Sequence, residues 1–480
     1  MTTLISKRPS PTTSFPHVGF VPENTKQVLS GEETSPRTRS ASPSVRLTID
    51  HILKIPGLAN CIFSYLISND IGLDKHVSRY WNRVGEQELK SWHKHRRSLC
   101  MDTLNREDLV KIFRLEPTLS LQESWNRIFA AAENRFPHLT RLDMPEESDC
   151  PQIVINSPVE TPHLHTLRVC SWNINSDSLK SLFLRLSHLH TLTFEQCMLD
   201  KNSLSALNER GCRWISLNLS RSHGLKESAL SEIASACTSL RELNISGCYW
   251  VNEDGLGALR DKCTCLTSLN IGSCRTLDND TAFSRLGFAS LRTLNVSRLS
   301  CIDQTNATTI CKTSPLLTSL DISQCYSVDQ AIIQTFAKGL LYLNTLSVSH
   351  CHGFNKDCVE ALGLRAQTLT DLDISFCIEI NQRSLEVVPV ACPRLTSLNI
   401  SGCSQVDEAI LQTFAVGIST LQNLTNIQVA FCPKVTQEGV RSLARASPSL
   451  KSLSLFRSAI SDKSMVDSLR EEFPHIGFID

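Results

Sequence analysis

A short pattern, L-x-x-L-x-[LIV]-x-x-C, recurs along most of this 480-residue chain. Clean copies end in cysteine and begin at Leu240, Leu266, Leu317, Leu343, Leu369, Leu395 and Leu424. Weaker copies begin at Leu139, Leu164, Leu189, Trp214, Leu291, Leu450 and Ile476. The fourteen starts are 25 or 26 residues apart, except for 29 residues between Leu395 and Leu424. A repeat of this length predicts a solenoid, in which one structural unit is stacked on the next.

Each repeat contains one strand-like and one helix-like segment. Its first residues alternate between apolar and polar side chains, as a strand with one buried face does. The rest has helical spacing, as in Ala229, Leu230, Ile233, Ala234 and Cys237. One strand with one helix cannot bury its own apolar face, whereas stacked copies bury a continuous core. The sequence therefore predicts an α/β solenoid, a right-handed horseshoe of about 14 strand–helix repeats with parallel strands on its concave side.

Charge and hydropathy exclude several functional classes. Lys and Arg total 48, and Asp and Glu also total 48, so no basic excess points to nucleic acid. The chain has no run of about eighteen apolar residues that would predict a membrane span. Residues 1–46 lack the apolar centre of a secretory signal. We therefore expect a cytoplasmic or nuclear protein with reduced thiols and with no nucleic-acid or membrane partner.

The repeat accounts for many of the 20 cysteines. Eight of them end the strand pattern, namely Cys197, Cys248, Cys274, Cys325, Cys351, Cys377, Cys403 and Cys432. Three others, Cys237, Cys263 and Cys392, lie three residues before a pattern start. A reduced cysteine is a small hydrophobe with a weak S–H donor. We expect these side chains to pack in the core and to donate to the backbone where the strands end, and we assign them no catalytic or metal-binding role.

These repeats resemble the cysteine-containing subtype of leucine-rich repeats. The resemblance covers about 340 residues and rests on the in-phase copies described above. It implies a leucine-rich-repeat domain over residues 139–480. Within that family the subtype occurs mostly in F-box proteins, so the region before the repeats bears on function.

Three segments precede the repeats. Ser, Thr and Pro make up 21 of residues 1–46, a composition that predicts a disordered tail. Residues 47–90 are expected to form a small all-α module. Residues 91–138 carry spaced apolar side chains, such as Trp92 and Leu99, which predict a helical linker that caps the first repeat.

The module at residues 47–90 resembles an F-box. Its segment from Ile62 to Trp81 follows the family pattern I-F-S-Y-L…D…V-S-R-x-W in phase, although no acidic residue follows Pro56 and Asp74 occupies an apolar position. The resemblance implies docking on a Skp-type adaptor, and through it on a cullin, by Pro56, Ile62, Phe63, Leu66, Val77 and Trp81. From the residues alone, a small helical bundle that only caps the repeats fits as well.

The face of the predicted sheet away from the helices is small and polar. Four residues after the pattern start, the chain places Asn218, Asn244, Asn270, Asn295, Asp321, Ser347, Asp373 and Asn399. Lys and Arg are nearly absent from this stripe, so it does not resemble a nucleic-acid groove. Two interpretations stay open: these side chains bind a peptide, or they form hydrogen bonds along the sheet.

Larger side chains stand at the strand ends and in the loops just beyond them. Protein interfaces are enriched in aromatic residues and arginine. The predicted substrate-binding rim consists of Tyr249, Trp250, Tyr326, His350, His352, Phe354, Phe376, Phe431 and Arg457. The alternative is that these side chains only pack against neighbouring loops.

A group of histidines flanks the starts of three adjacent strands, namely His138, His163, His165, His188 and His190. No carboxylate or cysteine completes a metal-ligand spacing beside them. The sequence therefore predicts no metal site and no cofactor.

The remaining motifs do not indicate catalysis. We find no nucleotide-binding loop, no zinc-protease motif and no nucleophile–histidine arrangement, so the chain itself is not expected to be an enzyme. Together with the resemblance, this predicts a substrate-recognition subunit of a Skp–cullin–F-box ubiquitin ligase, whose repeats hold a protein for ubiquitin-dependent degradation. The alternative is a non-catalytic interaction scaffold without ligase association. A GTPase-activating leucine-rich-repeat protein fits less well, because repeats of that family are longer and end in Asn.

Overall fold

The computed structural model of the protein describes residues 98–100, 140–143, 163–186, 188–208, 214–277, 286–363, 368–416, 423–460 and 463–479. All of them belong to one compact unit, Ser78–Asp480. The predicted tail of residues 1–46 and the F-box-like module of residues 47–90 lie outside the described residues, and so does the predicted linker apart from residues 98–100. The boundaries proposed for these segments stay predictions.

One parallel sheet runs through the described residues, and each of its strands pairs with the next strand of the sheet along the chain. Its fifteen strands are Ser98–Cys100, Arg141–Asp143, Thr166–Cys170, Thr191–Glu195, Ser216–Asn218, Glu242–Asn244, Ser268–Asn270, Thr293–Asn295, Ser319–Asp321, Thr345–Ser347, Asp371–Asp373, Ser397–Asn399, Asn426–Gln428, Ser452–Ser454 and Gly477–Ile479. A second, two-stranded sheet pairs Asn173–Ile174 with Met198–Leu199. Because no strand is inserted between sequence neighbours, each repeat adds one layer to a stack, which is the order of a solenoid.

The fourteen pattern starts each lead into a strand of the large sheet. In Ser216–Asn218 and Ser268–Asn270 the central leucine is buried and its two neighbours are partly exposed, which is the predicted alternation. The 29-residue spacing between Leu395 and Leu424 leaves the strand register intact, since Leu398 pairs with Ile427. Its extra residues fall between the helix Glu408–Val416 and the next strand. The predicted leucine-rich-repeat α/β solenoid is confirmed.

One strand departs from the prediction. Ser98–Cys100 lies in the segment expected to be helical, yet it pairs in parallel with Arg141–Asp143, with Leu99 opposite Leu142. An edge strand exposes a row of unpaired N–H and C=O groups. The upstream strand satisfies that row for Arg141–Asp143, and this tertiary pairing overrides the local helical spacing. The sheet therefore extends one strand beyond the fourteen repeats.

Helices follow most of the strands and pack against one another in sequence order. Their bounds are Ser176–Arg185, Ala229–Ala236, Glu253–Lys262, Gln304–Thr313, Gln330–Gly339, Lys356–Gly363, Gln382–Ala391, Glu408–Val416, Gln437–Ala446 and Lys463–Glu472, with 3-10 turns at Ser203–Asn208 and Arg275–Leu277. Within the described ranges, no helix has the length and apolar character needed to cross a membrane.

A polar side chain twelve residues after the pattern start caps several of these helices. Oxygens of Asn252, Asp303 and Asp329 accept the backbone N–H three residues further on, at 2.9, 2.7 and 3.0 Å. Asn381 and Thr436 make the same bond at 3.1 Å. Each cap stabilises its helix by about 1 kcal/mol. The caps also fix where each helix begins, and thereby the length of the loop that leaves the strand.

The apolar core lies between the sheet and the helices. Buried residues from Leu142 to Phe478 form one connected cluster. Strand leucines such as Leu243 and helix residues such as Ile233 and Leu256 have essentially no exposed surface. Since the core runs from the strand Arg141–Asp143 to the strand Gly477–Ile479, these strands and the loops that follow them are held at fixed positions, and the loops carry the candidate surface.

Candidate interaction surface

Every strand from the repeat of Leu164 to the repeat of Leu450 ends in the same backbone turn. The residue seven positions after the pattern start has a φ between 52° and 70°, in the left-handed region. These residues, called the rim row below, are Ser171, Gln196, Arg221, Gly247, Ser273, Arg298, Gln324, His350, Phe376, Gly402, Phe431 and Arg457. Ten of them are not glycine, although this conformation costs roughly 1–2 kcal/mol for a residue with a Cβ.

Hydrogen bonds across the sheet hold this turn in place. The N–H of Arg298 donates to the carbonyl of Ser323, and the N–H of His350 donates to the carbonyl of Ser375, both at 2.8 Å. The parallel ladder therefore continues past the strand, and the neighbouring repeat imposes the strained conformation. As a result, the side chains of the rim row stand about one strand spacing apart, ~4.8 Å.

The polar stripe of the concave face stabilises the same turn. Oδ1 of Asn218, Asn244 and Asn270 accepts the N–H two residues further on, at 2.9, 3.1 and 3.0 Å. The same bond forms at Asn295, Asp321, Asp373 and Asn399. These bonds lie within one repeat, so the oxygen atoms stabilise the turn. Between repeats, Nδ2 of Asn295 donates to Oδ2 of Asp321 at 2.7 Å, which is the predicted bonding along the sheet.

The pattern cysteines lie directly behind the rim row. The thiol of Cys274 donates to the carbonyl of Ile245 at 3.1 Å, and the thiol of Cys351 donates to the carbonyl of Ile322 at 3.2 Å. All eight pattern cysteines are buried and make this bond to the preceding repeat. Burial raises the pKa of Cys274 to about 11 and the pKa of Cys325 to about 12. The thiols stay protonated at neutral pH, which fits packing and hydrogen bonding rather than nucleophilic chemistry.

Side chains of the later repeats form a continuous row of rings. His350 and Phe376 stack with ring centroids 4.5 Å apart and 4° between their planes. Phe376 contacts Phe431 at 5.7 Å, and Phe431 contacts Phe456 at 5.6 Å. The Arg457 guanidinium lies 5.6 Å from the Phe431 centroid and 5.3 Å from the Phe456 centroid. We call these five residues the aromatic ridge.

The aromatic ridge depends on one glycine. The repeat of Leu395 places Gly402 in the rim row, between Phe376 and Phe431. A Cβ on Gly402 would lie 2.3 Å from Cδ1 of Phe376. The missing side chain therefore leaves room for the Phe376 ring to cross one repeat and reach Phe431.

A second set of aromatic side chains lies two residues beyond the rim row. Tyr249 stacks on His223 at 6.0 Å, and Tyr326 packs against His352 at 5.0 Å. Tyr249 and Tyr326 are 58% and 59% exposed. In the described ranges these side chains form two pairs rather than a continuous ridge.

Two residues of the predicted rim are in the core instead. Phe354 is 0% exposed because it lies eleven residues after the pattern start, at a position that is apolar and buried. Val328 and Ile380 occupy the same position in the neighbouring repeats and are buried too. Trp250 is 5% exposed, and its Nε1–H donates to the carbonyl of Ser222 at 3.1 Å. The prediction that Trp250 and Phe354 belong to the substrate-binding rim is therefore wrong. Their side chains hold the loop onto the core and are not available to a partner.

The sequence interpretation missed Phe456. It precedes the rim row residue Arg457 and is 40% exposed, so it extends the aromatic ridge by one repeat. At that position most repeats have serine, glycine or alanine, such as Ser401 and Ala430. This break in a regular series of small residues is the signal that could have identified it.

The histidine group is arranged by stacking. The rings of His165 and His190 are 5.1 Å apart and 15° from parallel, and Nδ1 of His165 lies 3.2 Å from the carbonyl of His188. Burial lowers the pKa of His190, and the nearby His165 lowers it further by a smaller amount. Among the residues that the structure describes, no three His, Cys, Asp or Glu side chains are grouped as metal ligands. His138 and the predicted adaptor-binding residues lie outside the described ranges.

Comparison with known proteins shows similarity to solved structures. No protein-family model and no curated protein matches this chain. A chain of the crystal structure of the yeast Rad7 and Elc1 complex is similar over 88% of this chain and 97% of its own length, with 16% identity and a TM-score of 0.48. An internalin (inlF) from Listeria monocytogenes covers 72% of this chain and 93% of its own, with 17% identity and a TM-score of 0.41. A chain of a TLR13–ssRNA13 complex covers 67% and 43%, with 19% identity and a TM-score of 0.41.

Proposed function

We propose that this chain is the substrate-recognition subunit of a Skp–cullin–F-box ubiquitin ligase. The module at residues 47–90 would dock on the adaptor, and the repeats would hold a target protein for ubiquitination and degradation. The chain itself would be non-catalytic, because its contribution is to position the target. The assembly would act in the cytoplasm or the nucleus.

The observation that carries the recognition part is the aromatic ridge. Phe431 and Phe456 are 39% and 40% exposed and lie beside an arginine, which is the composition that protein interfaces concentrate. In the described ranges Arg457 forms no ion pair with a carboxylate, although its guanidinium lies on two aromatic faces. The matching partner segment has apolar side chains and at least one carboxylate within reach of Arg457.

The ligase part is supported by the resemblance of residues 47–90 to an F-box. Its test is co-expression of the full chain with a Skp-type adaptor, followed by size-exclusion chromatography. We expect a one-to-one complex that is lost in the variant Phe63→Ala with Leu66→Ala. The control is Phe20→Ala with Leu29→Ala, which removes similar side chains from the predicted tail. Separate elution of the wild-type chain and the adaptor would favour the alternative, an interaction scaffold without ligase association.

The recognition part is tested with variants of the aromatic ridge. Phe431→Ala with Phe456→Ala removes two exposed rings, and Val390→Ala removes an exposed apolar side chain from the helix Gln382–Ala391 as a control. A true target is a purified protein that binds the wild type and the control, loses at least tenfold in affinity for the ridge variant, and is ubiquitinated only in the presence of the adaptor-bound chain. Equal binding to both variants would exclude the ridge as the target site. Equal urea midpoints of the variants would show that the fold is intact.

A further inference from the structure

The concave face contains a cavity of about 1010 Å³ in the central repeats, apart from the aromatic ridge. The cavity spans five repeats: Arg221 of the rim row lines it in the first, Arg298 of the rim row in the fourth, and Gln324 and Tyr326 in the fifth. Arg275 lies in the third repeat, two residues beyond the rim row. The rim row is low between Arg221 and Arg298, because Gly247 has no side chain and Ser273 has a small one. Gly272 adds no side chain to the floor, and a Cβ there would lie 2.6 Å from Oγ of Ser297 and 2.8 Å from Oδ1 of Asn295.

The lining of the cavity is positively charged. Three arginines and one carboxylate, Asp321, line it, which gives these four side chains a net charge of +2. The whole chain has 48 basic and 48 acidic residues, so this local excess is not a general property of the protein. In the described part of the chain, Arg221, Arg275 and Arg298 form no ion pair.

The carboxylate in the floor forms no ion pair with these arginines, and neutral groups donate to both of its oxygens. Oδ1 of Asp321 accepts the N–H of Ser323 at 2.9 Å, and Oδ2 accepts Nδ2 of Asn295 at 2.7 Å. Asn270 also lines the cavity, and its Oδ1 is taken by the N–H of Gly272 at 3.0 Å. The amide NH₂ of Asn270 makes no hydrogen bond to another described residue, and it adds a neutral donor to the three guanidinium groups.

We propose that this cavity binds a phosphate monoester, carried on a serine or threonine of the partner protein. A phosphate offers three strong acceptor oxygens and about two negative charges, so several guanidinium groups can share it, whereas one arginine already satisfies a carboxylate. Tyr249 and Tyr326, at the mouth of the cavity, would contact the residues that flank the phosphorylated side chain. The proposal rests on the proposed function in that a protein carries the phosphate.

A peptide fits this surface better than a nucleic acid does. Single-stranded nucleic acid binds along a continuous basic groove that follows its backbone. Beyond Gln324 the rim row continues as His350, Phe376 and Gly402, so the positive charge stops after the central repeats. The three clustered arginines thus lie in one cavity, which suits a single phosphate group rather than a continuous nucleic-acid backbone.

The test measures binding of the full chain to an immobilised degenerate library of phosphoserine and phosphothreonine peptides. The same library after phosphatase treatment is the first control. The cavity variant is Arg221→Gln with Arg275→Gln and Arg298→Gln. The matched variant is Lys338→Gln with Arg383→Gln and Arg394→Gln, which removes the same charge from exposed positions that do not line the cavity.

We expect at least tenfold more retention on the phosphorylated library than on the treated one, and loss of this difference in the cavity variant but not in the matched variant. Equal retention on both libraries, or equal loss in both variants, would overturn the proposal. Binding of inorganic phosphate as tight as that of the phosphopeptides would indicate a free anion as the ligand. Binding of a 20-nucleotide uridine strand that needs the same arginines, with no phosphopeptide binding, would indicate RNA. Either result overturns the assignment to a partner protein.

The outcome is separable from that of the proposed function. The variant Phe431→Ala with Phe456→Ala is expected to keep the preference for phosphopeptides, because the ridge and the cavity share no residue. Loss of adaptor or target binding with an intact phosphopeptide preference would contradict only the proposed function. The reverse result would contradict only the phosphate site.

Discussion

At the scale of single residues, the pattern cysteine solves two problems at one position. Its side chain is small enough to fit under the backbone turn that ends the strand, and its S–H hydrogen reaches the carbonyl of the repeat before it, as Cys274 reaches Ile245 at 3.1 Å. In the repeat of Trp214 a buried serine makes the same bond, because Oγ of Ser222 donates to the carbonyl of Phe194 at 2.7 Å. An alanine would leave the carbonyl without this donor. The position therefore selects a small side chain that carries a donor, and cysteine meets both needs.

The reactivity of the thiols should follow their burial. Cys265 is exposed, whereas the eight pattern cysteines are buried. Burial raises the pKa of Cys248 and the pKa of Cys403 to about 12 each, so few thiolates form at neutral pH. We expect iodoacetamide at pH 7.5 to modify Cys265 of the native protein and to leave the pattern cysteines unmodified, as measured by peptide mass spectrometry. Modification of Cys248 at the rate of Cys265 would contradict this.

Removal of one thiol should cost stability. Cys274→Ala deletes a buried sulfur and its hydrogen bond, so we expect a loss of about 1–2 kcal/mol in the free energy of unfolding. Cys265→Ala, nine residues earlier and exposed, is the control and should change it by less than about 0.5 kcal/mol. Urea unfolding measures both. Equal midpoints for the two variants would mean that the thiol of Cys274 contributes nothing to folding.

At the scale of elements, the turn that ends each strand links the backbone to the recognition surface. Backbone hydrogen bonds to the neighbouring strand hold the rim row in the left-handed turn. The position of each rim row side chain is therefore set by the backbone and does not depend on the residue type. The aromatic ridge forms because His350, Phe376 and Phe431 occupy this position in nearby repeats and because Gly402 leaves a gap in the series.

Gly402 should be sensitive to the smallest substitution. Gly402→Ala combines a φ of 70° with a Cβ 2.3 Å from the Phe376 ring, so we expect a loss of about 2 kcal/mol or more. Gly247→Ala has the same φ, but its Cβ would meet only the flexible Arg221 Cγ, at 3.1 Å, so about 1 kcal/mol is expected. Urea unfolding measures both changes.

A double-mutant cycle isolates the clash. In a Phe376→Ala background the ring is gone, so Gly402→Ala should cost only about as much as Gly247→Ala does in the wild type. We expect a coupling energy of about 1 kcal/mol or more between Phe376 and Gly402. Additive effects of the two substitutions would show that the ring does not lie over Gly402 in solution.

The strands could be predicted from the sequence because a buried leucine and a fixed spacing recur in every repeat. The left-handed turn could not, because Ser, Gln, Arg, His and Phe all occupy it and none of them favours that conformation. Residue type alone predicts Trp250 and Phe354 at the surface, because large aromatic side chains in loops are typical of interfaces. The recurrence of Val328 and Ile380 at the position of Phe354 indicates burial, and only comparison across repeats reveals it. Ser98–Cys100 has no repeat pattern, so its pairing depends on the sheet edge that it meets.

At the scale of the whole molecule, the buried thiols act together because they occur in many layers of one cooperative stack. The pKa of Cys325 is about 12 in the folded protein, above the usual thiol value of 9.0. Above pH 9 the unfolded chain therefore releases protons that the folded chain keeps. By linkage, stability falls as the pH rises through the interval between the two values.

Alkaline pH should consequently lower the free energy of unfolding, because these buried thiols ionise more readily in the unfolded chain than in the folded protein. Near pH 10, each such thiol lowers the free energy of unfolding by about 1 kcal/mol. We expect the urea midpoint to fall progressively from pH 8.5 to pH 10.5. A variant with Cys274→Ala and Cys325→Ala, less stable at pH 7.5, should lose less than the wild type over this range. Parallel curves for the two proteins would assign the decline to other titrating groups, such as Tyr and Lys.

The rim row also bears on how proteins of this architecture evolve. Its conformation is imposed by the adjoining repeat, so Ser273, Arg298, Gln324, His350 and Phe376 take it equally. The residues that determine folding and the residues available for recognition thus occupy different positions of the same repeat. Duplication of a repeat adds one more rim row position. A single substitution at that position changes the side chain presented to a partner and leaves the buried leucines unchanged. Specificity in such a molecule can drift one layer at a time without a passage through unfolded intermediates.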